Sequence, residues 1–299
     1  MVGAHVAVSS QRRIGSYQLI NLIRTGHACE IWKVLRASEW HGLAMKLLRQ
    51  GPHHSREQLG LLRHEYTVGQ PLKHDRIVHI YDFASGADGS YLVMELCSSL
   101  NLKQRIQFGV ERIAHLAETI IRQAAEGLQY LHEQGWVHCD VKPDNFLVTD
   151  EGNVKLIDFS LAQRPKGRLS RLFAGRARIQ GTKSYMSPEQ IRGKAVDPRS
   201  DIYSFGCLLH ELLGGKVPFT GVSTNELLTK HLRSRPPLLE SVNRNVTNDF
   251  SDLVARMLAK EPAGRPDSMR SLLDEMDRMP VFERRPTPPK EARPAEDRR

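Results

Sequence analysis

The sequence contains no uninterrupted run of about 18 apolar residues, so no segment is expected to span a membrane. Residues 1–15 lack a basic start followed by a long apolar core and do not read as a secretory signal. Cysteine is scarce: Cys29, Cys97, Cys139 and Cys207 are scattered, with no CxxC pair. That argues against a disulfide framework or a zinc site, and for free thiols in the reducing cytoplasm. Glycine and proline are not in excess and no internal repeat occurs, so the main body is expected to fold. Apolar residues make up 40% of the 299, enough for one large domain or two packed lobes. The formal net charge of +9 would suit nucleic acid or an anionic lipid surface. No groove-reading motif accompanies it, so neither nucleic acid nor a membrane is expected as a partner.

Residues 1–16 read as a flexible lead-in. Strand-like runs follow at 17–23, 30–34 and 43–48, separated by glycine and polar stretches as in an antiparallel meander. A charged helix is expected over 55–70, with Leu59, Leu61, Leu62 and Tyr66 at helical spacing and Pro71 ending it. Two further strands are expected at 77–83 and 91–96. Beyond Cys97 the pattern becomes helical, first at 113–134, where Leu116, Ile120, Ile121, Ala124, Leu128 and Leu131 form one core stripe. Helices are also expected at 201–213, 251–258 and 268–276. Residues 280–299 are rich in proline, arginine and glutamate and read as a disordered tail.

The most informative stretch is His138-Cys139-Asp140-Val141-Lys142-Pro143-Asp144-Asn145, followed by Asp158-Phe159-Ser160. Both are short loops beside strands, and both place carboxylates at strand ends. Phosphoryl transfer needs cations to neutralise phosphate oxygens and a carboxylate to accept the attacking hydroxyl's proton. Asp140, Asn145 and Asp158 supply that chemistry at a workable spacing.

These residues resemble the eukaryotic-like (Hanks-type) serine/threonine protein kinase family, in its bacterial style, over about residues 17–279. The resemblance implies an α+β bilobal fold: a small antiparallel-sheet N-lobe with one helix (17–95) and a larger, mainly helical C-lobe (98–279). It implies ATP and Mg²⁺ as cofactors, with Mn²⁺ as an alternative, and protein hydroxyls as acceptors. By resemblance Asp140 is the catalytic base, Lys142 contacts the γ-phosphate, and Asn145 and Asp158 are metal ligands. Leu43-Ala44-Met45-Lys46 matches the strand whose lysine holds the α- and β-phosphates, with Glu65 as its partner. ATP contacts fall on Ile23, Gly26, Ile31, Ala44, Lys46, Glu65, Met94, Glu95, Cys97 and Leu147, with Met94 as gatekeeper and Glu95 and Cys97 in the hinge. In the activation segment, Thr182 contacts the catalytic loop, Glu189 pairs with Arg265, and Ser170 is a candidate autophosphorylation site. Asp201 resembles the helix residue that braces the catalytic loop. His138 and Phe159 read as packing residues.

Four departures stand out. The glycine-rich loop, Arg24-Thr25-Gly26-His27-Ala28-Cys29-Glu30-Ile31, keeps one of three glycines, which implies weakened nucleotide affinity. Cys139 replaces the arginine that pairs with a phosphorylated activation loop, a non-RD arrangement implying activity independent of that phosphorylation. Ser160 replaces a glycine and is expected to restrict its segment. Gly69 replaces an apolar residue that packs on Phe159, and a gap loosening the Glu65 helix is expected there.

Between Gln163 and Lys183 lie seven basic residues and no acid. This reads as a solvated loop or, more sharply, as a surface for acidic substrate segments. Cys29, Cys97 and Cys139 map near the nucleotide, as reactive thiols or as small residues that simply fit. The alternative functions are a pseudokinase scaffold, favoured by the eroded glycine loop and Ser160, and a small-molecule kinase, disfavoured by Lys142, Gly181-Thr182 and Ser187-Pro188-Glu189.

Overall fold

The computed structural model describes residues 12–36, 42–49, 56–165 and 181–289. The chain divides into two compact units, one running through Ser98 and taking in Asp158–Ser160, the other formed by 99–157 and the residues from Leu161 on.

The first unit is built on six antiparallel strands: β1 (Arg13–Ile14), β2 (Tyr17–Thr25), β3 (Cys29–Arg36), β4 (Leu43–Leu48), β5 (Ile80–Gly86) and β6 (Gly89–Glu95), in the order β1-β2-β3-β4-β6-β5. The expected lead-in is shorter than residues 1–16: Arg13 and Ile14 pair with Gln18 and Tyr17, and Ile14 is buried. Its residues 1–11 lie outside the described ones. Alternation along β4 divides the strand. Leu43, Met45 and Leu47 join Tyr17, Leu19, Val34, Tyr91 and Val93 in one apolar cluster, which leaves Ala44 and Lys46 for the opposite face. Between β4 and β5 runs helix α1 (Arg56–Gly69), which buries Leu62, Glu65, Val68 and Gly69.

The second unit carries a three-stranded sheet, β7 (Leu100–Asn101), β8 (Phe146–Val148) and β9 (Val154–Leu156). The rest is helical: α2 (Leu102–Gln107), α3 (Val110–Ile113), α4 (Ala117–Glu133), α5 (Pro188–Ile191), α6 (Pro198–Gly214), α7 (Thr224–Arg233), α8 (Leu239–Val242), α9 (Asn248–Met257) and α10 (Met269–Met276). Helix α4 buries the expected stripe from Ile120 to Leu131, while Leu116 sits half-buried in the turn before it. Helix α6 starts three residues before the expected Asp201, because Asp197 caps Arg199 N at 2.9 Å and Pro198 takes the first helical position. It is buried from Ser200 to Leu213, and Gly215 ends it with φ 73°. Among the described residues no helix is long and apolar enough to cross a membrane.

The expected disordered tail is corrected. Val246 bridges Phe282, Thr247 N donates to Val281 O at 3.0 Å, and Glu283 N donates to Asn245 O at 2.8 Å. Val281 and Phe282 are buried, so the segment after Pro280 is folded onto the start of α9. Residues 290–299 lie outside the described ones.

Candidate functional site

In the first unit, Lys46 Nζ donates to Glu65 Oε2 at 2.6 Å and lies 3.5 Å from Asp158 Oδ1. Burial alone would lower the Lys46 pKa, but Asp158 and then Glu65 outweigh it and hold it above the ordinary lysine value. Two carboxylates share one ammonium, and burial pushes the more enclosed Glu65 up to about 7. The sheet register sets Ile31 opposite Lys46, Ala44 opposite Met94 and Leu43 opposite Glu95. The register thus places Ile31, Ala44, Met94 and Glu95, four of the residues expected around the nucleotide, on β4 or on the strands beside it. Ile23 on β2 is 53% exposed, and Cys97 follows β6.

The β2–β3 turn is closed by Gly26 N donating to Cys29 O at 2.8 Å. Gly26 does not have a positive φ. A Cβ there would stand 3.1 Å from Cys29 O, so close approach explains the one glycine retained.

Gly69 corrects an expectation. No gap opens beside it, because a Cβ would lie 2.4 Å from Ile80 Cδ1 and 2.9 Å from Phe159 Cδ2. Ile80 from β5 fills the space that a side chain on α1 was expected to fill. Phe159 is fully buried, as a packing residue should be.

In the second unit, Asp140 is held by both oxygens. Oδ1 accepts from Thr182 N at 3.0 Å and Thr182 Oγ1 at 3.1 Å. Oδ2 accepts from Lys142 Nζ at 2.6 Å and Asn145 Nδ2 at 3.2 Å. Lys142 Nζ also reaches Thr182 Oγ1 at 2.8 Å, and Asn145 Nδ2 reaches Asp140 O at 2.8 Å. Three expected site residues thus converge on the carboxylate of a fourth. Leu147 is on β8, opposite Asn101 and Lys155.

Beneath this cluster, Asp201 Oδ2 accepts from His138 N at 2.7 Å and Oδ1 from Cys139 N at 2.9 Å, matching the expected brace. His138 is fully buried; its Nδ1 accepts from Asp140 N at 3.3 Å and its Nε2 lies 3.2 Å from Ile157 O, one neutral tautomer satisfying both. Cys139 adopts φ 66° and is buried. Burial pushes the thiols of Cys139 and Cys29 up, the opposite of activation.

Glu189 and Arg265 form a bidentate pair at 2.7 and 2.9 Å, with Ser200 Oγ donating to Glu189 Oε1 at 2.6 Å. Burial would raise the Glu189 pKa, yet the Arg265 hydrogen bonds outweigh it and hold the carboxyl below its usual range. Ser170, and the basic residues from Lys166 to Arg178, lie outside the described residues.

Three contributors escaped sequence reasoning. Gln190 Nε2 donates to Cys139 O at 2.8 Å, while its Oε1 accepts from Ser187 N at 3.0 Å. Gln163 Nε2 lies 3.2 Å from Cys139 Sγ, beside a two-way backbone pairing of Gln163 with Val137 at 2.9 Å. His132 Nε2 meets Asp201 Oδ2 at 2.8 Å. None has a local signature, since each acts on a residue far away in sequence.

One residue in each unit carries an oxygen donor of the kind a hard cation takes. Asp158 offers a carboxylate, and Asn145 directs its amide nitrogen at Asp140, which leaves its amide oxygen for other work. Among the described residues no group of three or more His, Cys, Asp or Glu could hold a metal by itself. Oxygen donors of this kind suit a divalent cation that takes its other ligands from a bound phosphate.

The protein kinase domain profile matches residues 17–276. Serine/threonine-protein kinase PrkC of Bacillus subtilis is 30% identical over 262 residues, covering 88% of this chain and 40% of PrkC. PknL of Mycobacterium tuberculosis is 32% identical over 243 residues, 81% of this chain and 60% of PknL. A probable serine/threonine-protein kinase of Clostridium perfringens is 29% identical over 263 residues, 88% of this chain and 38% of its own. The chain spans less than two thirds of the length of each.

Proposed function

We propose, from the premise that the chain belongs to the protein kinase domain family, that it transfers the γ-phosphoryl group of ATP to serine or threonine hydroxyls of protein substrates. The observation that carries this is the Asp140 carboxylate, held by Thr182, Lys142 and Asn145. Phosphoryl transfer depends chiefly on positioning and charge neutralisation, and this carboxylate is fixed before any substrate arrives. In this reading Asp140 accepts the hydroxyl proton and Lys142 steadies charge on the transferred phosphoryl group. Lys46, oriented by Glu65, holds the α- and β-phosphates. Asp158 and Asn145 are the residues that would hold magnesium, which supplies neutralisation of the phosphate oxygens when bound. Adenine would lie against Ile23, Ile31, Ala44, Met94 and Leu147, with the backbone of Glu95 and Cys97 as its polar contacts.

Two finer readings attach to this one. Cys139 is gripped through its carbonyl by Gln190 and through its sulfur by Gln163. The loop carrying Asp140 is thereby tied down without a phosphate, which supports activity independent of activation-loop phosphorylation. The basic run from Arg164 to Lys183 supports substrates with acidic segments. Cys29, Cys97, Cys139 and Cys207 form no disulfide, and two of them are buried, which suits a reducing cytoplasm.

The test is incubation with labelled ATP and Mg²⁺ or Mn²⁺. Asp140→Asn is expected to lower label transfer by about 10²-fold or more, the scale of a lost general base. Phosphatase pretreatment is expected to leave the rate intact, and added salt to raise KM for acidic peptides more than for neutral ones. Transfer that survives in Asp140→Asn would remove the assigned base. Nucleotide binding without any transfer would leave the fold acting as a scaffold.

A further inference from the structure

The left-handed backbone in the Asp158–Ser160 turn falls on Asp158, at φ 65°, and not on Ser160. Glycine is needed where φ is positive, so this conformation makes no such demand at position 160. A side chain is admitted there, and the one present points at its neighbour. Ser160 Oγ donates to Asp158 Oδ1 at 2.6 Å, and Ser160 N approaches the same oxygen at 3.3 Å. Lys46 Nζ lies 3.5 Å from it.

We propose that Ser160 is a positioning residue for Asp158, fixing the carboxylate in the orientation that takes a divalent cation with a nucleoside diphosphate or triphosphate. The inference rests on the kinase reading above. Two effects act in the same direction. A hydroxyl bound to a carboxylate is a short, charge-assisted hydrogen bond and restrains the Asp158 side chain. A serine in place of glycine also withdraws the positive-φ conformations through which the segment could rearrange. One effect opposes: the hydroxyl occupies an acceptor site that the cation could use. A carboxylate has about four such sites, so one hydroxyl leaves room for the cation, and restraint is the larger consequence. The competing explanation is a purely local turn, in which a carboxylate caps the backbone two residues on. A local turn would not change affinity for metal.

Calorimetric titration of the full chain with Mn²⁺–ADP, and with ADP in EDTA, separates the two. Ser160→Ala is expected to weaken Mn²⁺–ADP about tenfold, the scale of one charged hydrogen bond. ADP in EDTA should bind as before, at an unchanged melting temperature. Ser160→Thr restores the hydroxyl and should bring Mn²⁺–ADP affinity back near the parent value. Three results overturn the inference alone: unchanged or tighter Mn²⁺–ADP binding by Ser160→Ala, equal weakening of metal-free ADP, or failure of Ser160→Thr to recover. A parent chain that binds no Mn²⁺–ADP overturns the kinase reading and this inference together.

Discussion

Gly69 occupies the last turn of α1 with Ile80 and Phe159 already in the space a side chain would need. Exposed helical Gly→Ala changes usually stabilise by about 1 kcal/mol. Here the added methyl would fall 2.4 Å from Ile80 Cδ1 and 2.9 Å from Phe159 Cδ2, and both neighbours are buried. Overpacking of this kind costs about 1–3 kcal/mol, so Gly69→Ala should destabilise despite better helix propensity, and Gly69→Leu more so. Denaturant unfolding checks this; a more stable Gly69→Leu would show that a gap exists after all. The sequence could not reveal it, because a residue's identity does not say which neighbour fills its space, and Ile80 arrives from β5. Asp140, Asn145 and Asp158 were named as candidates for the converse reason, whereas Lys46, Glu65, Lys142 and Thr182 came only with the resemblance. Phosphate chemistry restricts which side chains can serve, so residue type and spacing identify candidates before contacts are known. Gln163, Gln190 and His132 were not, since they act by bracing and many residue types can brace.

Elements with a strong period were read well. The apolar run of β4 was read to both its ends, and the stripe from Ile120 to Leu131 is buried on α4, which starts four residues later than expected. Element starts depended on capping: Asp197 and Pro198 begin α6 before its apolar residues do. Helix α7, capped by Ser223 accepting from Glu226 N at 3.2 Å, escaped notice because so few of its residues are buried. The segment after Pro280 failed on composition, which averages Val281 and Phe282 with the polar residues beyond them. Thr247 Oγ1 donates to Pro280 O at 2.7 Å, and Asn245 Nδ2 donates to Arg284 O at 2.8 Å. A chain ending at residue 280 should therefore lose about 3–5 kcal/mol, the burial of one Phe and one Val. A chain ending at 289 keeps the whole described segment and is the reference for that loss. Equal melting of the two shortened chains would return the segment to the status of a tail.

The molecule has two units, and its stability is expected to fall at both ends of the pH scale. The alkaline loss is shared, because burial also pushes up Cys139, Tyr185, Tyr203 and Cys207 in the second unit. In the first, Tyr17 Oη donates to Asp82 Oδ2 at 3.0 Å, and burial followed by Asp82 pushes its pKa up to about 12. Above pH 10 the unfolded chain loses a proton that the folded chain keeps, so stability falls between about 10 and 12. In the second, His231 is fully buried against Tyr203 and Phe219, and burial followed by Lys260 lowers its pKa to about 4. Below 6.5 the unfolded chain takes up a proton that the folded chain refuses, so stability falls as pH drops from 6.5 towards 4. The full loss is about 3 kcal/mol. Glu189 has the same sign: its depressed pKa gives stability that is present above 4.5 and lost as pH falls through the folded value. Trp32 lies on β3 and Trp136 in the second unit beneath Arg164, so each reports on one unit once Trp40 is replaced by Phe. Fluorescence of Trp136 should change before that of Trp32 as pH falls towards 4. His231→Gln removes the titrating ring and should flatten the fall in unfolding free energy between pH 6.5 and 4. If the slope between pH 6.5 and 4 persists in that variant, the acid sensitivity in that window does not belong to His231, whereas the loss from Glu189 would set in only below 4.5.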